Sequence, residues 1–507
     1  MSPTPPPADP RDALFRIDLE ARQLARAAGG ASVYVLFMAF LKAAQQLGSI
    51  AIIARLVPPE DFAVFALAMP GVVLATVLSN FGLPQAIIQR REITHAQVSA
   101  LFWCNALLGL AASLVLAAIA VPAAGWFDEP RVTPIFLAIS ASVLLAAMAG
   151  QYVAIMRRTL RIRVSERATL AAELGATAVA IVTALMGWSY WAPVLQQIAI
   201  PVFTLILLMA ATRWLPSGPR RADFTGIGAA LSFGGYVAGS SILTRMSQYI
   251  GTTIIGVMLG PTPTALYYRA TNLAMLPQRR VMVPLSSVFT PTLSRLQDDP
   301  AALNAMFARL VSRADLLMNP VAVGLACGAP WIVALMLGPD WEAVTPLLFW
   351  SSLFTLGAGL RNGLQYLFFA CGQSRPFFWV SVLRFAVVSL SLWLLAPRGI
   401  EAMIAAYMLA ELVVILPALV AVADRTTPVR WRAVLRFCWA DFAFAIGLWA
   451  VLQALVVPHL AGWSALPALA VLGLLIGAAY AAKVLASREL RGEARRLIRR
   501  ALSRRGG

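Results

Sequence analysis

The chain has 507 residues, of which 60% are hydrophobic and only 13% charged, with a formal net charge of +18 and a mean hydropathy of +0.76. An ordinary soluble domain carries roughly 25% charged residues. Water is therefore excluded as the principal solvent, and little sequence is left for a soluble catalytic domain.

From the N-terminus, residues 1–29 are Pro-rich and then basic, with Arg11, Arg16, Arg22 and Arg26. They lack the apolar core and small-residue cleavage site of a secretory signal, so a cytoplasmic segment is expected. A spanning helix needs about 20 mostly apolar residues. Such runs recur near 32–54, 62–82, 97–122, 132–155, 168–187, 191–211, 227–259, 264–292, 314–337, 343–370, 376–396, 401–423, 435–457 and 464–485. Arg245, Arg269, Arg279 and Arg280 interrupt the seventh and eighth. The expected fold class is an all-α polytopic membrane protein with about fourteen transmembrane helices.

Lys and Arg accumulate in cytoplasmic loops. With the N-terminus inside, Arg90 and Arg91, the run Arg157 to Arg167, Arg220 and Arg221, and Arg425 to Arg436 all fall on one side, and only Arg55, Arg131 and Arg398 fall on the other. Both termini are then cytoplasmic. The tail, residues 486–507, spaces its arginines along an amphipathic pattern with Leu497, Ile498 and Leu502. That pattern suits anionic inner-leaflet lipid better than nucleic acid, so membrane lipids are the expected partner of the basic charge.

Cys104, Cys327, Cys371 and Cys438 lie apart in apolar runs, and His95 and His459 lie far apart in predicted loops. Neither set suggests a disulfide framework or a metal site. Nothing matches a phosphate-cradling Gly-x-x-x-x-Gly-Lys-Ser/Thr loop, so direct ATP hydrolysis and a bound cofactor are not expected.

Residues 46–68 can be laid without gaps on 248–270, at a constant offset of 202. Gln46 then meets Gln248, Ile52 and Ile53 meet Ile254 and Ile255, Pro59 meets Pro261, and Ala68 meets Ala270. In both copies a helix ends at a Pro-containing turn and another begins, because Pro forbids helix continuation. Weak internal similarity of this kind is the usual mark of a transporter repeat. It divides the chain into a first lobe of six helices (30–222), a second (223–424) and an added helix pair (425–485).

The stretch Ile53 to Phe62, followed by Asn80 to Arg90, resembles the N-terminal signature of Wzx-like bacterial polysaccharide exporters of the colanic-acid-exporter type. Gly187 to Ala192, Gly260 to Leu276 with Tyr267-Tyr268-Arg269-Ala270, Pro291 to Leu296, and Leu337-Gly338-Pro339-Asp340-Trp341 follow in the family's order. Ala63 stands where the family pattern has Gly, and Leu266 precedes the tyrosine pair instead of Gly. The resemblance implies the MATE-type fold of the MOP superfamily. It also implies a flippase that carries an undecaprenyl-diphosphate-linked oligosaccharide across the inner membrane by ion-coupled alternating access, with a polysaccharide polymerase and assembly proteins as partners.

An ionisable group inside a span is costly unless it faces a cavity or finds a partner. Arg245, Arg269, Arg361 and Arg384 in the second half, and Lys42 in the first span, are candidates for a cationic cavity that grips a diphosphate. For Arg384 and Lys42, snorkelling is the competing role. Arg279 and Arg280, beside Pro277 and Pro284, would mark a broken helix. Gln46, Asn80, Gln85, Gln248 and Asn362 are candidates for sugar hydroxyls, with helix-to-helix hydrogen bonding as the alternative. Glu173, Glu411 and Asp441 are candidates for ion coupling, each equally a counter-ion for a nearby cation. Two rivals remain open: a MATE-type drug or organic-cation antiporter, for which a more acidic interior is expected, and a membrane glycosyltransferase or polymerase of the same pathway, for which the periplasmic connections look short.

Overall fold

The computed structural model describes residues 10–15, 21–79, 84, 87, 93–221, 223 and 235–487. Among these there is no strand. The helices are α1 (Ala21–Leu56), α2 (Pro59–Ser79), α3 (His95–Ala118), α4 (Ala120–Phe127), α5 (Val132–Arg158), α6 (Ile162–Leu185) and α7 (Trp191–Thr212). They continue as α8 (Gly235–Leu259), α9 (Pro261–Ser294), α10 (Pro300–Cys327), α11 (Ala329–Met336), α12 (Val344–Ser352), α13 (Ala358–Ala370), α14 (Ser374–Leu395), α15 (Ile400–Leu409), α16 (Leu416–Thr426), α17 (Trp431–Val451), α18 (Val457–Leu460) and α19 (Ala465–Ala486).

Helix lies at each of the fourteen expected spans. Eleven stretches among the described residues are long and apolar enough to cross a membrane; the helical residues at 235–259, at 264–292 and, in two pieces, within 343–370 do not meet that standard. Polar side chains such as Arg245, Arg269, Gln278 and Arg361 lower their apolar content, and α12 and α13 are two short helices rather than one. The expected break at Arg279 and Arg280 does not occur: α9 runs unbroken through Pro277 and Pro284. The break falls instead at residues 353–357.

Local signals set several helix starts. Thr94 caps α3 by accepting from the Gln97 N–H, and the Gln97 side chain accepts from the Thr94 N–H, both at 3.3 Å, a reciprocal capping box. Asp299 caps α10, accepting from Ala301 N at 3.1 Å and Ala302 N at 3.0 Å, with Pro300 at the first helical position, where its missing N–H costs nothing. The two copies of the internal repeat have the same local form. α2 begins at Pro59 and α9 at Pro261, each just after the preceding helix ends, which keeps the sequence offset of 202.

The chain separates into two compact units, one of residues 1–268 and 374–410, the other of 269–373 and 411–507. These are drawn differently from the consecutive segments 30–222 and 223–424 because α8 packs on α2 and on α14, which places it with the N-terminal helices. The repeat-based lobes rest on sequence and remain a proposal.

In the first unit, apolar helices associate through small residues and buried hydrogen bonds, as expected where lipid removes the hydrophobic drive between helices. Asn105 Nδ2 donates to the Ala147 carbonyl at 2.5 Å, and Ser113 Oγ to that of Ser140 at 2.6 Å. Phe37, Phe40, Leu107, Leu114, Trp379 and Trp393 stay exposed on the outside, which suits lipid.

Part of the N-terminal segment is built into this unit. A 3-10 turn at Pro10–Phe15 places Asp12 Oδ1 2.6 Å from the His95 backbone N–H, and Phe15 is buried against Trp214. His95, expected in a loop, is instead the buried first residue of α3. Its Nδ1 accepts from Trp214 Nε1 at 2.9 Å and its Nε2 lies 2.8 Å from Ser217 Oγ.

Between α4 and α5, Arg131 pairs with Glu129 at 2.9 Å and Asp61 at 3.1 Å. The hydrogen bond from Arg131 holds the Glu129 carboxyl below the ordinary carboxylate range. A carboxyl depressed in the folded state stabilises above its unfolded pKa, and that stabilisation is lost as pH falls through the folded value. Arg131→Gln is therefore expected to lower the apparent melting temperature slightly at neutral pH, in keeping with the ~0–1 kcal/mol of an exposed pair. The difference from wild type should close on acidification, and a gap that widens in acid would contradict the pairing.

Candidate functional site

A buried polar arrangement within the second unit surrounds the break between α12 and α13. Buried backbone that leaves helical form needs partners for its freed amides. They come from one face of α10, one turn apart. Asn319 Oδ1 accepts from Gly357 N at 3.1 Å, and Asp315 Oδ1 from Gly359 N at 2.7 Å. Asp315 also accepts from the Leu360 N–H. A carboxylate from a neighbouring helix thus caps the N-terminus of α13, where the helix dipole favours negative charge.

Two glycines make this approach possible. Gly357 has φ +65°, the left-handed region that an L side chain rarely adopts. At Gly359 a Cβ would lie 2.5 Å from Asp315 Oδ1 and 2.7 Å from its backbone nitrogen, so any larger residue would push α13 off α10.

Arg361 follows one turn into α13 and is 8% exposed. Its Nη2 donates to the Phe354 carbonyl, which the break leaves outside the helical ladder, and approaches Gln278 Oε1 at 3.4 Å. The guanidinium also lies 4.0 Å from the Phe354 ring centroid. One cation of α13 therefore reaches back over the break and lies beside a polar side chain of α9.

Arg269 is buried near the start of α9 with its guanidinium 5.3 Å from the ring centre of Trp341, itself fully buried, a cation–π arrangement. Two sequence motifs far apart in the chain, Tyr267 to Ala270 and Leu337 to Trp341, meet at this contact.

Residues 52–346, more than half of the chain, match the family described as polysaccharide biosynthesis protein. The chain belongs to that family. Its relatives include the lipopolysaccharide biosynthesis protein WzxC of Escherichia coli K12, 23% identical over 59% of this chain and 60% of WzxC. The succinoglycan biosynthesis transport protein ExoT of Rhizobium meliloti is 23% identical over 66% of this chain and 68% of ExoT. The match thus spans about three fifths of WzxC's length. Among solved structures, the lipid II flippase MurJ in an inward closed conformation superposes with a TM-score of 0.64 at 13% identity, covering 88% of this chain and 98% of MurJ. An inward-facing multidrug MATE transporter of the MOP superfamily gives 0.56 at 11% identity, covering 81% and 95%. These likenesses establish the MurJ/MATE-type fold of a multi-pass membrane protein.

In this polysaccharide biosynthesis protein the other candidates are distributed as follows. In the first unit, Lys42 of α1 pairs with Glu166 of α6 at 2.6 Å and with Thr169 at 2.5 Å. Lys42 thus has a counter-ion within its own unit. Gln46 and Glu173 lie half-buried on α1 and α6, which pack together, and Gln45 donates to the Glu173 carbonyl at 3.3 Å. Arg245 lines a mostly apolar cavity with Leu67, Gly71, Trp126, Phe127 and Tyr249. Gln248 and Arg384 are half-buried on α8 and α14, which also pack together.

In the second unit, Asn362 Nδ2 donates to the Ala358 carbonyl of its own helix at 2.7 Å. Glu411 is buried in a π-helical turn, Ala410–Ile415, between α15 and α16. Asp441 is the counter-ion of Lys483, a cation inside the last apolar run. Asn80 and Gln85 lie outside the described residues. Asp315 and Asn319 were not foreseen.

Proposed function

We propose that this chain is a flippase that moves an undecaprenyl-diphosphate-linked oligosaccharide from the cytoplasmic to the periplasmic leaflet of the bacterial inner membrane, with both termini cytoplasmic. The observation that carries the reading is Arg361: a guanidinium buried beside a broken membrane helix, in a member of the polysaccharide biosynthesis family. Discontinuous helices at membrane depth are the usual framework of transporter sites, and Arg can grip a diphosphate bidentately. Arg269, Arg245 and Arg384 are further candidates for the anionic headgroup, and Gln46, Gln248 and Asn362 for sugar hydroxyls.

Alternating access of the two repeat-based lobes, 30–222 and 223–424, is the proposed mechanism, with a coupled ion as its drive. Polysaccharide polymerase and assembly proteins are the proposed partners, receiving the cargo on the far side. The connections on the proposed periplasmic side, such as residues 128–131 and 337–343, are a few residues long, which favours a carrier over a glycosyltransferase or polymerase.

The reading is tested by deleting the gene in its native host. Export of the cell's polysaccharide should stop while the lipid-linked repeat unit accumulates facing the cytoplasm, and the cloned gene should restore both. Normal export in the deletion strain, or loss of the repeat unit's synthesis, would overturn it.

A further inference from the structure

The second unit holds a charged cluster that diphosphate binding does not use. On α17, Asp441 makes an ion pair with Lys483 of α19 and accepts from Ser312 Oγ of α10 at 3.1 Å. Asp315, three residues beyond Ser312 on α10, is 1% exposed, and its carboxylate interacts electrostatically with that of Asp441. Cys438 of α17 and Tyr480 of α19 feel both carboxylates.

The two carboxylates differ in how they are satisfied. Asp441 has a cation of its own. Asp315 uses Oδ1 for the amides of α13, while its Oδ2 is buried with no hydrogen-bond partner, and so is Asn319 Nδ2 one turn along. An ionised carboxylate oxygen buried in this way is costly, and a buried acid escapes the cost by taking up a proton.

The charges facing Asp315 are few. Asp441 repels it, Lys483 is committed to Asp441, and Arg361 of α13 attracts it, the weakest of the influences on the carboxyl. Among the described residues, Cys438 and Tyr480 also feel the carboxylate; the same packed helices carry Arg309 and Arg313 (α10), Tyr366 (α13) and Arg432 (α17), none of them among the influences on Asp315, and α11 and α12 carry no ionisable group.

We propose that Asp315 is a proton-binding site, its Oδ2 taking a proton from water while Oδ1 continues to cap α13, and that its charge state biases the broken helix carrying Arg361. A proton needs one oxygen, whereas a sodium ion needs several. Protonation removes the negative charge at the N-terminus of α13 and the repulsion from Asp441. The clamp between α10 and α13 weakens, and the link from α10 to α17 and α19 tightens. The broken helix is thereby tied to the added helix pair. The consequence for cargo movement rests on the transporter reading; the proton site does not.

The test is infrared difference spectroscopy of the full-length protein in liposomes, comparing alkaline with acid buffer. Above the range in which exposed carboxylates protonate, a protonated-carboxyl C=O band is expected to appear on acidification, to be lost in Asp315→Asn, and to persist at a shifted position in Asp315→Glu. It should be unchanged when potassium replaces sodium at fixed pH. An unchanged band in Asp315→Asn, no such band in wild type, or removal of the band by sodium would each overturn the proposal. If Asp315→Asn fails to insert, the Asp315→Glu shift and the sodium comparison decide. No cargo enters the measurement, so failure here is distinct from failure of the flippase reading.

Discussion

Replacing Arg361 with alanine is expected to abolish polysaccharide export while the protein still accumulates in the membrane. Truncating one partner of a desolvated, hydrogen-bonded charge pair, here the proposed guanidinium–diphosphate contact, costs about 2–5 kcal/mol, which is roughly 30-fold to several-thousand-fold in an equilibrium or rate. Arg361→Lys should recover part of the activity, because the charge returns but the planar fork that donates to the Phe354 carbonyl, and in the proposed function would also grip a phosphate, does not. The check is polymer export by a deletion strain carrying each variant, with membrane abundance measured in parallel. Full export with alanine at this position would remove Arg361 from the cargo path.

Trp341→Ala should have the largest effect on stability. Trp341 is fully buried and carries the Arg269 guanidinium on its face. Removing a buried tryptophan typically costs about 3–5 kcal/mol, and here a buried cation also loses its aromatic partner. A large fall in the apparent melting temperature of the purified protein is expected. Trp341→Phe, which keeps an aromatic face, should lie much nearer to wild type. Equal losses for the two variants would show that Arg269 does not depend on the ring.

The helices were legible because apolar runs of spanning length are a strong signal, and Pro59 and Pro261 fixed the two copies of the repeat in the same register. The site was less legible, for particular reasons. The ninth span was expected from residue 314, which left Asp315 at a boundary where a carboxylate is unremarkable. α10 in fact starts at Pro300, and the cap Asp299 with Pro300 behind it was the available sign. Reading it would have put Asp315 about four turns into a helix. His95 was misplaced in the same way, although Thr94 and Gln97 spell a capping box.

Partners were the other blind spot. Lys42 with Glu166, and Asp441 with Lys483, are far apart in sequence, and only packing brings them together. The break at 353–357 has Gly357 as its sole strong signal, whereas the adjacent arginines and prolines near 280, which look more disruptive, are accommodated in a continuous helix.

The most direct test of the central claim is transbilayer movement of lipid cargo by the purified protein. Reconstituted into liposomes containing a fluorescent undecaprenyl-diphosphate-linked oligosaccharide, the wild-type chain is predicted to make the inner-leaflet pool accessible to an outside quencher or hydrolase, and Arg361→Ala to slow this at least about tenfold, the equivalent of 1.4 kcal/mol. Movement no faster than in protein-free liposomes, under imposed proton and sodium gradients of either direction, would contradict the assignment as a lipid-linked saccharide flippase.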